Sequence, residues 1–149
     1  QEALRDYELA LSHLDRMSER ERLRTRGGYY VTANNNEKAV EEFTKLVRGF
    51  PADTAGHANL ALALLFLRKT APALEEGRKA IEIYPKNLVH RSNVALYAMY
   101  GGDYATALKE ADVVAKQNPE YEKPHVAIAL ASIARSTATS GAATRCRSS

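Results

Sequence analysis

Residues 54–87, TAGHANLALALLFLRKTAPALEEGRKAIEIYPKN, read as two helices joined by a turn and closed by Pro85. The landmarks of this stretch recur on both sides at one interval. Pro51, Pro85 and Pro119 are evenly spaced, and twelve residues before each lies an alanine, Ala39, Ala73 or Ala107. Twenty-four residues before each proline lies a small residue, Gly27, Ala61 or Ala95, and Val40, Leu74 and Leu108 directly follow the three alanines. A self-similar period of this length marks an array of stacked units, each too small to bury its own apolar face. Small residues let helices approach closely, and proline ends a helix because it lacks the N–H and disfavours helical geometry in the residue before it. Each unit is therefore expected to be a helical hairpin closed by a proline turn.

Working outward, residues 1–15 place Leu4, Tyr7, Leu11 and Leu14 on one helical stripe. With Ala3 in the role of Ala39, this is expected to be the second helix of a preceding unit whose first helix is absent, followed by a turn around Arg16 and Met17. Ser18 and Glu21 fit a capping box opening a helix that runs to about Thr32, with Gly27 and Gly28 inside it. Two interior glycines cost about 1 kcal/mol each, so close packing or a bend should compensate. Asn36 is expected to cap a helix through Val47 that ends near Gly49, and Asp53 or Thr54 a helix through about Arg68. Thr70 should cap its partner, with Pro72 harmless in the first turn; Asn87 should cap a helix through Tyr100, and Asp103 one through Gln117. Pro124 opens an eighth helix containing Val126, Ile128, Leu130 and Ile133, and the Ser-, Thr- and Gly-rich stretch beyond Ser136 reads as disordered. The fold expected is all-α, a superhelix of antiparallel hairpins.

Composition narrows the function. The 149 residues suffice for one domain, and 45% hydrophobic content is ordinary for a globular protein. The net charge of +3 comes from interleaved acidic and basic residues, without the clustered footprint that nucleic-acid binding needs, the run from Arg16 to Arg26 being broken by Glu19 and Glu21. The sole cysteine, Cys146, permits no disulfide within the chain, which fits a reducing, cytoplasmic setting. The longest apolar run, LALALLFL at 60–67, is too short to cross a membrane. The start at Gln1 suggests excision from a longer protein.

The repeating residues resemble the tetratricopeptide repeat, a 34-residue helical hairpin with a small residue at position eight, alanine at position twenty and proline at position thirty-two. The units in phase are 20–53, 54–87 and 88–121, flanked by a partial unit and turn at 1–19 and a partial unit or cap at 122–137, with a tail at 138–149. The resemblance implies a right-handed superhelix. Departures fall at position four, occupied by Leu23, His57 and Arg91, and at position twenty-four, occupied by Phe43, Gly77 and Ala111. The runs ALSHLDRMSERERLRTRGGYY and NNNEKAVEEF also look like repeat arrays attached to bacterial serine/threonine kinases and related signalling proteins, although no kinase motif is present.

No catalytic reading emerges. His57 and His125 fall two periods apart at position four and are expected to pack between helices, and neither HExxH nor paired cysteines support a metal site. No GxSxG accompanies a serine, the glycine pairs lack a phosphate-loop pattern, and Glu75 and Glu76 beside Arg78 and Lys79 read as a solvated face. No cofactor is expected.

What remains is surface. In the family that the chain resembles, the first helix of each unit lines a concave groove. Carried over residue by residue, that face holds Arg24 and Thr32, then Ala58, Asn59, Leu62, Leu65 and Phe66, then Ser92, Asn93, Leu96, Met99 and Tyr100. Helical periodicity places 58, 62, 65 and 66, and likewise 92, 96, 99 and 100, on one face of each helix. The expectation is a non-catalytic module binding a peptide or helix from a protein partner. Family members that grip a peptide's terminal carboxylate use five polar positions; here Arg24 and Asn59 match, while Gly28, Val89 and Asn93 do not, so carboxylate-specific capture is not expected. The alternative is a structural spacer or a homo-oligomer formed through the terminal helices, the last of which carries apolar residues such as Ile128 and Ile133 on more than one face.

Overall fold

In the computed structural model, residues 2–120 and Ser132 are described. Seven α-helices form among them: α1 (Glu2–Leu11), α2 (Glu19–Thr32), α3 (Asn36–Gly49), α4 (Thr54–Phe66), α5 (Thr70–Ile83), α6 (Leu88–Tyr100) and α7 (Tyr104–Gln117), with one turn of 3₁₀-helix at Leu14–Arg16. The eighth helix expected from Pro124 and the tail beyond it lie outside the described residues, apart from Ser132. The chain parts into two compact units, Gln1–Lys86 and Asn87–Ser149. In the first, α2 pairs with α3 and α4 with α5, α3 packs on α4, and α1 lies on α2; in the second, α6 pairs with α7.

The starts of the helices follow from side chains that accept backbone N–H groups with no partner inside the helix. Ser18 and Glu21 form the expected capping box. Asn35, Asp53, Asn87 and Asp103 each accept from the N–H three residues on. Two expectations need correction by one residue. Asn36 is not the cap but the first, buried residue of α3, because Asn35 takes that role. Thr70 likewise begins α5, and Lys69 before it supplies no side-chain cap.

The ends share a feature that the landmark prolines do not reveal. Asn34, Arg68 and Gly102, which keep the spacing of the prolines, all adopt positive φ, at 56°, 60° and 80°. At each, the next N–H reaches back five residues, from Asn35 to Tyr30, Lys69 to Leu64 and Asp103 to Ala98. This left-handed closure satisfies the last carbonyls of the helix. It stops α4 at Phe66, two residues before the expected Arg68.

Within each hairpin the periodic small residues carry the close approach. Ala39, Ala73, Ala107, Ala61 and Ala95 are fully buried. In α2, a Cβ added to Gly27 would lie 2.5 Å from the Phe43 ring, so glycine here makes room for a large partner. Ala95 instead meets Ala111 in a buried cluster. Two of the departures at position twenty-four are thus volume-matched: Phe43 against glycine, Ala111 against alanine. Gly28 is crowded by the Tyr7 ring of α1, so both interior glycines of α2 are explained by packing.

Candidate functional site

The predicted face divides between the units. In the first, Arg24 projects from α2, while Ala58, Asn59, Leu62, Leu65 and Phe66 run along α4, where spacings of three and four residues keep them on one side. Asn59 is exposed, Ala58, Leu62 and Leu65 are half-buried, and Phe66 is 53% exposed. Thr32, at the end of α2, donates its hydroxyl to the Gly28 carbonyl at 3.0 Å. In the second unit, Asn93, Leu96 and Met99 are half-buried on α6, Tyr100 is 61% exposed, and Ser92 is buried. Neither the Asn59 nor the Asn93 amide is bonded to a described residue. Each has its donors and acceptor open, with an exposed aromatic seven residues on.

Arg24 is differently placed from these. Its Nε and one terminal nitrogen donate to the two oxygens of Asp53 at 3.0 and 2.7 Å, and Arg20 adds a bond of 2.6 Å. The Asp53 side chain is inaccessible, while both arginines stay over 40% exposed. The same carboxylate accepts the Gly56 N–H at 2.7 Å, as the cap of α4. Burial pushes its pKa up, but the bonds from Arg24, Arg20 and Gly56 outweigh it and hold the group down at about 2. Asp53 was legible only as a cap. Its partners sit 29 and 33 residues earlier, where local reading finds merely a basic run.

A second polar system lies between the helices of each hairpin, and it repeats. Glu42, Glu76 and Glu110 recur at the interval of the prolines. Glu110 accepts from Arg91 at 2.6 Å, and Glu76 meets His57 Nδ1 at 2.6 Å, each across 19 residues. Two of the departures at position four, His57 and Arg91, thus face carboxylates across their hairpins. In the first hairpin that position is Leu23, and Glu42 turns to Lys45 at 2.6 Å and to Arg26 at 4.0 Å. Glu76 is not part of a solvated face as expected: its side chain is 14% exposed, against 69% for Glu75. His57 Nε2 also faces the Pro51 carbonyl at 3.0 Å, so both ring nitrogens meet acceptors, and only the doubly protonated ring donates to both. Burial raises the Glu76 pKa, yet the bonds from Lys79 and His57 bring it below the ordinary value. The shared period of these glutamates was a readable signal.

His57 also lines a groove of about 670 Å³ between α3 and α5, with Leu60 and Leu64 of α4 among its lining residues. Lys79 on its α5 wall bonds both Glu75 and Glu76. Among the described residues no group of three His, Cys, Asp or Glu side chains could hold a metal ion. No helix there is long and apolar enough to cross a membrane.

No family model and no curated protein matches the chain. Solved structures do. The TPR2B domain of yeast Sti1, in a complex with an Hsp70 peptide, superposes with a TM-score of 0.70 at 27% identity, covering 76% of this chain and 96% of that one. The fold is that of a tetratricopeptide-repeat domain. The second such domain of human RPAP3, in complex with an HSP70 peptide, gives a TM-score of 0.73 at 18% identity, covering 76% of this chain and 95% of its own. The Sgt2 domain from Aspergillus fumigatus gives 0.74 at 20% identity, with 85% of each chain covered. The all-α helical-repeat superhelix expected from the spacing of prolines and alanines is therefore the tetratricopeptide-repeat fold of this chain.

Proposed function

We propose that the chain is a non-catalytic interaction module whose first-helix faces bind a peptide or helix from a protein partner. The observation that carries this reading is the pair Asn59 and Asn93. They occupy the same place in successive hairpins, their amides are open, and Phe66 and Tyr100 stand exposed on the same helices. An extended peptide offers backbone donors and acceptors to such amides and side chains to such rings. Arg24, Ala58 and Leu62 on the first unit, and Leu96 and Met99 on the second, complete the proposed contact faces, while Ser92 is buried and is left out.

The neighbouring structures bound to Hsp70 peptides support peptide binding as the class of activity. The terminal carboxylate is a different matter: Gly28, Val89 and Asn93 do not offer the polar set it needs, and Arg24 is engaged with Asp53. The module is thus proposed to read internal sequence. The likeness of its first repeat to arrays on bacterial serine/threonine kinases supports a place within a longer cytoplasmic signalling protein. The test is a peptide-array screen followed by calorimetry on the best binder. Asn59→Ala and Asn93→Ala should each weaken binding about tenfold, in line with about 1.4 kcal/mol per lost bond, and amidating the peptide's C-terminus should leave affinity unchanged. Binding indifferent to both asparagines would remove the proposal.

A further inference from the structure

Asp53 carries one negative charge and faces two guanidinium groups. Arg20 and Arg24 stand one turn apart on α2, a spacing that puts both side chains on one face of the helix. Both reach the same carboxylate, whose side chain is inaccessible to solvent and whose place is fixed by the bond from the Gly56 N–H at the start of α4. Arg20 is braced a second time, its guanidinium lying 5.9 Å from the centre of the Phe50 ring. The two cations are therefore held in place before any ligand arrives, and the rotamer freedom that opposes binding by a loose arginine is already lost on folding.

What faces solvent is rich in donors. Of the five N–H groups of a guanidinium, Arg20 gives one to Asp53 and Arg24 gives two. The rest have no acceptor among the described residues, and the side chains are 46% and 41% exposed. Positive charge is also in excess. Asp53 offsets one of the two cations, and Glu21, on the same helix, is committed to Ser18 in the capping box.

We infer that Arg20 and Arg24 form a site for a phosphate monoester, the phosphoserine or phosphothreonine of a partner segment lying along the first-helix face. The inference rests on the reading of that face as a peptide-binding one, and adds a modification to the partner's chemistry. A monoester carries close to two negative charges and three acceptor oxygens in a tetrahedron, so a separate oxygen can lie before each guanidinium fork while the surplus charge is met. A carboxylate brings a single charge in one plane, and Asp53 already fills that part between the two arginines. A diester, as in a nucleic-acid backbone, offers one charge and two free oxygens, and Glu19 and Glu21 in the first turn of α2 oppose a long polyanion there.

The test follows the arginine Nε–H signals of the full chain by NMR. The probes are a glycine peptide with one central phosphoserine and both ends blocked, its unphosphorylated counterpart, phenyl phosphate, benzoate and dimethyl phosphate. The phosphopeptide and phenyl phosphate should shift the Arg20 and Arg24 signals saturably and bind at least about tenfold tighter than the other three. Arg20→Gln leaves Asp53 bonded to Arg24 and Gly56, so the fold is kept while affinity for both phosphates falls about tenfold. Arg22→Gln should change nothing, because that guanidinium bonds the Met17 carbonyl instead. Asn59→Ala and Asn93→Ala should leave the advantage of the phosphopeptide over its serine form intact, so failure of the asparagine contacts and failure of the phosphate site are told apart. The inference is overturned if neither phosphate shifts the Arg20 signal, if benzoate or dimethyl phosphate binds as well as phenyl phosphate, or if Arg22→Gln weakens binding as much as Arg20→Gln. Binding of phenyl phosphate without the phosphopeptide also overturns it, since the pair would then hold an adventitious ion only.

Discussion

His57 and Arg91 hold one position in successive hairpins and face glutamates at the same distance, yet their side chains differ in what loss of that carboxylate entails. An imidazole can shed its proton and remain buried as a neutral group, whereas a guanidinium cannot. The first hairpin adds a third condition, with Leu23 in that position and Glu42 served by Lys45 and Arg26 from other places. One repeat architecture therefore accommodates a guanidinium–carboxylate pair, an imidazole–carboxylate pair and an apolar residue. The helix packing is common to all three, while the polar contact is adjustable.

Removing the carboxylates should rank the hairpins. Glu110→Ala takes a carboxylate at 2.6 Å away from Arg91, which is only 20% exposed, and should cost about 3 kcal/mol, read as faster amide exchange in α6 and α7. Acid should act chiefly on the first unit through Asp53. A carboxyl held at about 2, against 3.8 when unperturbed, contributes stability that is fully present above the unfolded value and is lost as pH falls through the folded one. The loss is about 2 kcal/mol, and Asp53→Asn should flatten the acid limb of a pH titration of unfolding. Glu76→Ala should cost less than Glu110→Ala, about 1–2 kcal/mol, because a buried imidazole, unlike a guanidinium, has a neutral form. An equal cost for the two would show that the choice of imidazole or guanidinium does not matter to the packing.

Arg68 at φ 60° occupies the left-handed place that Gly102 fills at 80°, and a side chain there costs about 1 kcal/mol. Arg68→Gly should raise stability by about that amount in urea unfolding, while Gly102→Ala should lower it. The smallest effect is expected from Glu42→Gln. One Glu42 oxygen lacks a hydrogen bond among the described residues, and the change should stay within about 0.5 kcal/mol.

Most of the fold could be read from spacing because its period is written in residues with sharp conformational meaning. Proline at 51, 85 and 119 and alanine at 39, 73 and 107 mark helix ends and close contacts by themselves. The glutamates at 42, 76 and 110 keep the same beat, but an acidic residue on a helix is ordinarily solvated. The role of Glu76 and Glu110 appears only once His57 and Arg91, on the facing helix, are seen beside them. Arg68 is harder still, since nothing in an arginine announces a left-handed turn. For the candidate face, the resemblance to the repeat family supplied the residues and helical spacing agreed with them, and the structure added that Ser92 is buried, that Arg24 is tied to Asp53, and that the two asparagine amides are open.

Asp53 joins the start of α4 to two arginines on α2, so it fastens the second hairpin to the first rather than either to itself. During synthesis on a ribosome, which adds residues from the N-terminal end, α2 and α3 emerge before the residue that neutralises Arg20 and Arg24. The first hairpin then waits, with its cations in water, until the fourth helix begins. Docking of that helix and burial of the carboxylate occur together, so the two hairpins should mature as a single step of growth, and a chain cut just before residue 53 should leave a first hairpin far more sensitive to proteases than its share of the finished unit.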